Sequence, residues 1–166
     1  MTAPIGYLSG HNSGLYTKSE TALSTFDSEA AVSFCIPDNF VEGVTEFSAL
    51  SNEDSIQDIA IIGRPVVDHV IGQGSAQEFT FSMVMDFDSA TAVALRDDKR
   101  ASDRGFVVAF DNTTGDVVAD SATFCMFNGK ITNTSVTGGS ADGVVTLEVT
   151  VRRSTDIFWV DKVLVP

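Results

Sequence analysis

The chain has 166 residues, 43% apolar and 20% charged, with 10 Lys+Arg against 23 Asp+Glu for a net charge of −13. That length suits a single domain, residues 1–166, with a sizeable core, and the composition excludes a disordered chain. The acidic balance disfavours direct binding to nucleic acid or to an anionic membrane surface, and no apolar run is long enough to cross a bilayer as a helix.

Residues 1–25 are rich in Gly, Ser, Thr and Asn, show no period, and read as an N-terminal arm with at most one short extended piece. They carry no basic n-region and no long apolar run, so no signal peptide is expected. Residues 31–36 read as a strand ending at the turn cluster Pro37-Asp38-Asn39. Residues 43–50 read as a second strand, with Thr45, Phe47 and Ala49 on one side and Val44, Glu46 and Ser48 on the other. Residues 51–76 form a long irregular stretch, acidic at first, then punctuated by Gly63, Pro65, Gly72 and Gly74, with apolar pieces at 59–62 and 66–71. A loop that long inside a compact domain is usually functional.

The clearest signal is at 77–87. Phe79, Phe81, Met83, Met85 and Phe87 alternate with Glu78, Thr80, Ser82, Val84 and Asp86, which predicts a strand buried on one side only. The period then changes. Asp88 or Ser89 can cap a helix over 90–100, with Ala90, Val93, Ala94 and Ala101 on its apolar face and Gly105 closing it. Strands over 105–111 and 116–119 flank a turn at 112–115, and 121–134 reads as a long strand bulged at Gly129. Residues 144–153 alternate again, Val145, Leu147, Val149 and Val151 against Thr146, Glu148, Thr150 and Arg152. A short apolar C-terminal arm, 157–166, finishes the chain. The sum is mainly β: a two-sheet β-sandwich or partly closed barrel of about seven strands with one α-helix.

Candidate chemistry is sparse. His11 and His69 have no partners in sequence, and no nucleophile elbow, phosphate-binding loop or paired His at metal spacing is present. Asp86 and Asp88 share a strand end, but Asp88 is better explained as a helix cap. Arg96, Lys99, Arg100 and Arg104 are interleaved with Asp97, Asp98 and Asp103, which reads as a solvated salt-bridged surface. Cys35 and Cys125 sit in apolar runs and read as buried thiols, a disulfide between neighbouring strands being the alternative. No catalytic residue, cofactor or metal ligand is nominated, so the chain reads as structural rather than enzymatic.

The order of features from about Phe47 to Trp159 resembles the major tail tube proteins of long-tailed, siphovirus-like bacteriophages and phage-derived tails. The carriers are Gly72-Gln73-Gly74-Ser75 leading into Phe79-Thr80-Phe81-Ser82-Met83, a helix, Phe106-Val107-Val108-Ala109-Phe110-Asp111-Asn112-Thr113-Thr114-Gly115, and Phe127-Asn128-Gly129-Lys130-Ile131-Thr132-Asn133-Thr134-Ser135. A Val/Thr strand at 144–151 and Ile157-Phe158-Trp159 follow. The resemblance implies a subunit that assembles into hexameric rings stacking into a hollow tail tube through which DNA passes without specific binding. Its implied partners are copies of itself, a tape measure protein and other tail proteins, with no membrane. Its implied location is the virion tail, assembled in the host cytoplasm. Glu46, Ser48, Glu78, Thr80, Ser82, Thr146, Glu148 and Thr150 are then lumen candidates. The 51–76 loop, with Asp54, Ile59, Ile62, Val67, His69 and Ile71, becomes the inter-ring candidate, together with the two arms. A ring-forming tail terminator or joining protein, and a secretion-system tube protein, are the alternatives. A carbohydrate-binding β-sandwich would need exposed aromatics, and the sequence has 1 Trp and 2 Tyr.

Overall fold

The computed structural model describes residues 13–52, 56–60, 67–71, 77–98, 102–110, 123–139, 141 and 143–161, with backbone only for 56–60 and 67–71. In chain order it runs β1 (Ser13–Thr17), α1 (Ser28–Phe34), a 3-10 turn (Pro37–Asn39), β2 (Val44–Phe47), β3 (Ile56–Ala60) and β4 (Val67–Ile71). Then come β5 (Glu78–Val84), α2 (Ala90–Arg96), β6 (Arg104–Phe110), β7 (Thr123–Thr137), β8 (Thr146–Arg153) and β9 (Phe158–Asp161).

Seven strands make one antiparallel sheet in the order β1-β6-β7-β8-β5-β2, with β9 branching off β7. Thr123 pairs with both Phe110 and Asp161, and Gly129 with both Arg104 and Arg153, so β8 and β9 tile one side of β7 while β6 takes the other. The sheet curls until its ends approach. Val41, just before β2, donates its N–H to the carbonyl of Leu15 in β1 at 2.9 Å, and Tyr16 forms a bridge with Phe40. The result is a nearly closed barrel.

Alternation fills the barrel. Phe79, Phe81 and Met83 of β5 meet Leu147, Val149 and Val151 of β8, Phe106 and Val108 of β6, and Cys125, Phe127 and Ile131 of β7. The Phe79 ring is central, 5.2 Å from Phe127, 5.9 Å from Phe81 and 6.2 Å from Phe47. Each such buried side chain contributes about 1.5–3 kcal/mol. Helix α2 adds Ala92 and Leu95 to this core. Outside the barrel a second cluster, with Tyr16, Phe34, Cys35, Val107, Phe124 and Met126, lies beneath α1. Strands β6 and the first half of β7 are therefore buried on both faces, which explains their unbroken apolar runs.

The mainly β, partly closed barrel agrees with expectation, and several elements within it differ. The predicted strand at 31–36 is largely helix: the Asp27 carboxylate accepts the Ala30 N–H at 2.7 Å as an N-cap, and Ala31 and Phe34 turn inward at helical spacing. The arm at 1–25 yields β1, whose Leu15, Tyr16 and Thr17 are buried, while residues 1–12 lie outside the described residues. In β2 the pairing slips between Val44 and Glu46, so Val44 joins Phe47 in packing on the core instead of sharing a side with Glu46. The stretch 51–76 carries the paired strands β3 and β4.

Helix α2 is capped by Ser89 and ends at Arg96. It buries Ala92 and Leu95, leaving Ala90 and Ala94 exposed, because the first turn after Ser89 is rotated from the predicted face. Phe87 is 58% exposed, since β5 ends at Val84 and the Asp86 carboxylate takes the Asp88 N–H in a turn. The bulge in β7 falls between Ile131 and Asn133 rather than at Gly129. The predicted turn at 112–115 and strand at 116–119 lie outside the described residues, as do Lys99, Arg100 and Ala101. Two predicted surface assignments change as well. Arg104 is only 3% exposed and pairs with Asp98, and of the C-terminal arm Phe158–Asp161 becomes strand β9.

Candidate functional site

The polar positions of β2, β5 and β8 are the other half of the alternation that fills the barrel, so they emerge together on its outer face. Ladder partners arrange them in rows. Glu46 pairs with Ser82, which pairs with Glu148, which pairs with Ser135 of β7. Thr80 pairs with Thr150 and Thr150 with Asn133, while the Ser48 N–H donates to the Thr80 carbonyl at 2.7 Å and the Thr80 N–H to the Ser48 hydroxyl at 3.0 Å. Glu78 pairs with Arg152, and Arg152 with Lys130. Val84, Thr146 and Thr137 form the last row.

All eight lumen candidates thus share one surface. Glu46, Glu78 and Glu148 are exposed, and the hydroxyl-bearing members are half-buried by their neighbours. A shallow cleft of about 210 Å³ runs along Glu46, Ser48, Thr80, Ser82 and Glu148. The same face also carries residues not nominated from sequence. Arg152 follows the parity of Glu148 and Thr150 and was legible there; Lys130 stands opposite Arg152, and Asn133 and Ser135 reach the face through the register shift in β7. Two cations among three glutamates make the face mixed in sign, with the acids at Glu46 and Glu148 toward its middle and the bases in the Glu78 row.

Of the inter-ring candidates, Ile59 stands in β3 opposite Asp68, and Val67, His69 and Ile71 stand in β4 opposite Ala60, Asp58 and Ile56. Asp54 and Ile62 lie outside the described residues, as does His11.

Among the described residues, no strand pairs with the outer edge of β9, nor with 130–137 of β7 on its β6 side, where the Thr134 hydroxyl donates to the Arg96 carbonyl at 3.4 Å. Strand β9 is aromatic on both faces: Phe158 stacks on Phe26 at 4.3 Å, and Trp159, 54% exposed, stacks on Phe110 at 5.9 Å. Unpaired edges beside exposed apolar side chains are templates on which a further strand can pair.

Burial lowers the pKa of Arg104, opposed by Asp98 beside it, and burial likewise lowers that of Arg153. Cys35 and Cys125 are free and buried, and they stand in different clusters, one outside and one inside the barrel, so no disulfide joins them. Among the described residues, no group of three His, Cys, Asp or Glu side chains is placed to hold a metal ion.

The fold has counterparts among solved structures. A chain of the sheath/tube terminator of an extracellular contractile injection system, PVC, in its extended state, superposes with a TM-score of 0.66 at 9% identity, over 95% of this chain and 99% of that one. The fold is of the phage-tail type. A chain of the tube-terminating cap of the anti-feeding prophage shares this tail-type fold, with a TM-score of 0.65 and 12% identity over 96% and 94% of the two chains. So does a chain of the PVC sheath–tube complex, with a TM-score of 0.64 and 8% identity over 94% and 93%. No protein-family model matches the sequence, and no curated protein does.

Proposed function

We propose that the chain is a ring-forming structural subunit that terminates a tail-like tube, assembling with copies of itself and docking on other tail proteins. The observation that carries this reading is likeness to a sheath/tube terminator and a tube-terminating cap over nearly the whole length of both chains. The open edges of β9 and β7 supply the physical need, because unpaired backbone groups beside exposed aromatics are satisfied by neighbours. Six copies are the proposed count; another solved chain of the same fold belongs to a baseplate reconstructed with six-fold symmetry. The polar face of β2, β5 and β8 lines the channel in this reading; its three glutamates outnumber its two cations, and the chain as a whole is acidic, which disfavours adhesion of passing DNA.

The second reading is a tube subunit whose rings stack into a long tube alongside a tape measure protein, in a virion assembled in the host cytoplasm. The matching chain from a sheath–tube complex favours it, and the β3–β4 hairpin would then bridge successive rings. Negative-stain imaging of the purified protein separates the two. Single open-centred rings that do not lengthen are expected, long tubes select the second reading, and monodisperse monomer at high concentration overturns both.

A further inference from the structure

Arg153 closes β8 at a position where the alternation of Leu147, Val149 and Val151 calls for another inward apolar residue. Its residue exposure is 7%. Among the described residues no carboxylate lies within ion-pair distance, so the guanidinium is held by neutral acceptors alone. Nη1 donates to the Asn52 side-chain oxygen at 3.0 Å, and Nη2 donates to the Ser51 carbonyl and to the Gln77 side-chain oxygen, both at 2.8 Å. The Arg153 N–H also donates to the Gln77 carbonyl at 3.0 Å. Asn52 is fixed in turn, accepting the Ile157 N–H at 2.8 Å and donating to the Ile157 carbonyl at 3.1 Å.

These acceptors share one property. Ser51 and Asn52 are the residues that lead out toward β3, and Gln77 is the residue that leads back into β5. One side chain therefore grips both stems of the segment carrying the β3–β4 hairpin. Burying a cation whose direct contacts among the described residues are all neutral is costly, the field of Asp156 only partly opposing the loss, and an apolar residue would serve the barrel better. A planar fork with five donors is what the two-stem geometry requires, and a lysine could not span it.

We propose that Arg153 is a positioning residue that clamps the roots of the β3–β4 hairpin and fixes the direction in which it leaves the barrel, ready to dock on a neighbouring copy. The docking half of this statement rests on the assembly reading above; the clamp itself does not. The test is a distance measurement by pulsed electron spin resonance on the full chain, with labels at Gln57→Cys in β3 and Glu29→Cys on exposed α1. Cys35 and Cys125, 6% and 0% exposed, are shielded from the label.

The native protein should give one narrow distance. Arg153→Met should broaden it roughly twofold with the barrel's circular dichroism unchanged, and Arg153→Lys should fall between. An unaltered width in Arg153→Met overturns the clamp. Should Arg153→Met not fold, Gln77→Ala releases one stem while keeping the arginine, and native width there overturns the clamp equally. Particle imaging of the same proteins separates the two claims. A broadened Arg153→Met beside a native chain that never forms rings leaves the clamp standing and removes the docking role.

Discussion

Arg104 and Asp98 meet where the end of α2 approaches the start of β6, the arginine 3% and the aspartate 14% exposed. Ser19 adds a bond to the same guanidinium nitrogen at 3.4 Å. Removing one partner of a buried pair strands the other charge, so Arg104→Met should lower unfolding stability by about 3 kcal/mol, read from denaturant melts. An unchanged midpoint would mean that the pair is idle. The two thiols make a separate prediction. Burial pushes Cys35 from 9.0 to about 12, and Cys125 rises to about 12 by burial against the opposing field of Arg153. The unfolded chain releases these protons first, so the thiols leave stability untouched below pH 9.0 and erode it as pH climbs toward 12. Stability of the native chain should therefore fall with alkaline pH more steeply than that of Cys35→Ala, by about 1.4 kcal/mol per pH unit. Parallel curves would refute the assignment.

At the scale of elements, the readable parts were those with one buried face. Strand β5 and strand β8 were legible because Phe79, Phe81 and Met83, and Leu147, Val149 and Val151, keep strict alternation through their length. Helix α1 was not, because Ala30-Ala31-Val32-Ser33-Phe34 is apolar enough to pass for a buried strand; the decisive residue is Asp27, whose capping bond lies outside the apolar run. The face of β2 was misread from a register slip that leaves no mark in residue types. Gly129 looked like a bulge and is instead a point of close approach, since a Cβ there would sit 2.7 Å from Val151 Cγ1 and 2.9 Å from the Arg152 carbonyl oxygen. Gly129→Ala must push β7 and β8 apart and should cost about 1–3 kcal/mol, visible as a lower melting temperature. A variant as stable as the native chain would show that the strands yield freely.

For the whole molecule, the eight polar candidates were found by parity alone, and the ladder gathers them on one face. The sign of that face was not legible, because Lys130 joins it by standing opposite Arg152, a pairing between strands that residue order alone does not print. Nor does parity say which surface meets another chain, a property of partners absent from one sequence. The excursion between β2 and β5 offers the clearest handle. It forms its own two-stranded ladder, outside the seven-stranded sheet. Deleting 54–73 should therefore leave a cooperatively melting barrel that no longer assembles, measured by calorimetry and by particle imaging together. Assemblies of native appearance from the deleted chain would show that the hairpin is dispensable.

Strand β1 pairs with β6, and β2 pairs with β5, each across a long stretch of intervening chain. During synthesis both early strands emerge with nothing to zip onto. The β7–β8 ladder, joined by a short connection, is the natural seed, and β5, β6 and then the early strands add to it. The Phe40–Tyr16 seam closes a ring only once those strands are in place. Completion of the barrel wall therefore waits on the later half of the sheet, and the early strands gain their ladder partners only once β5 and β6 exist.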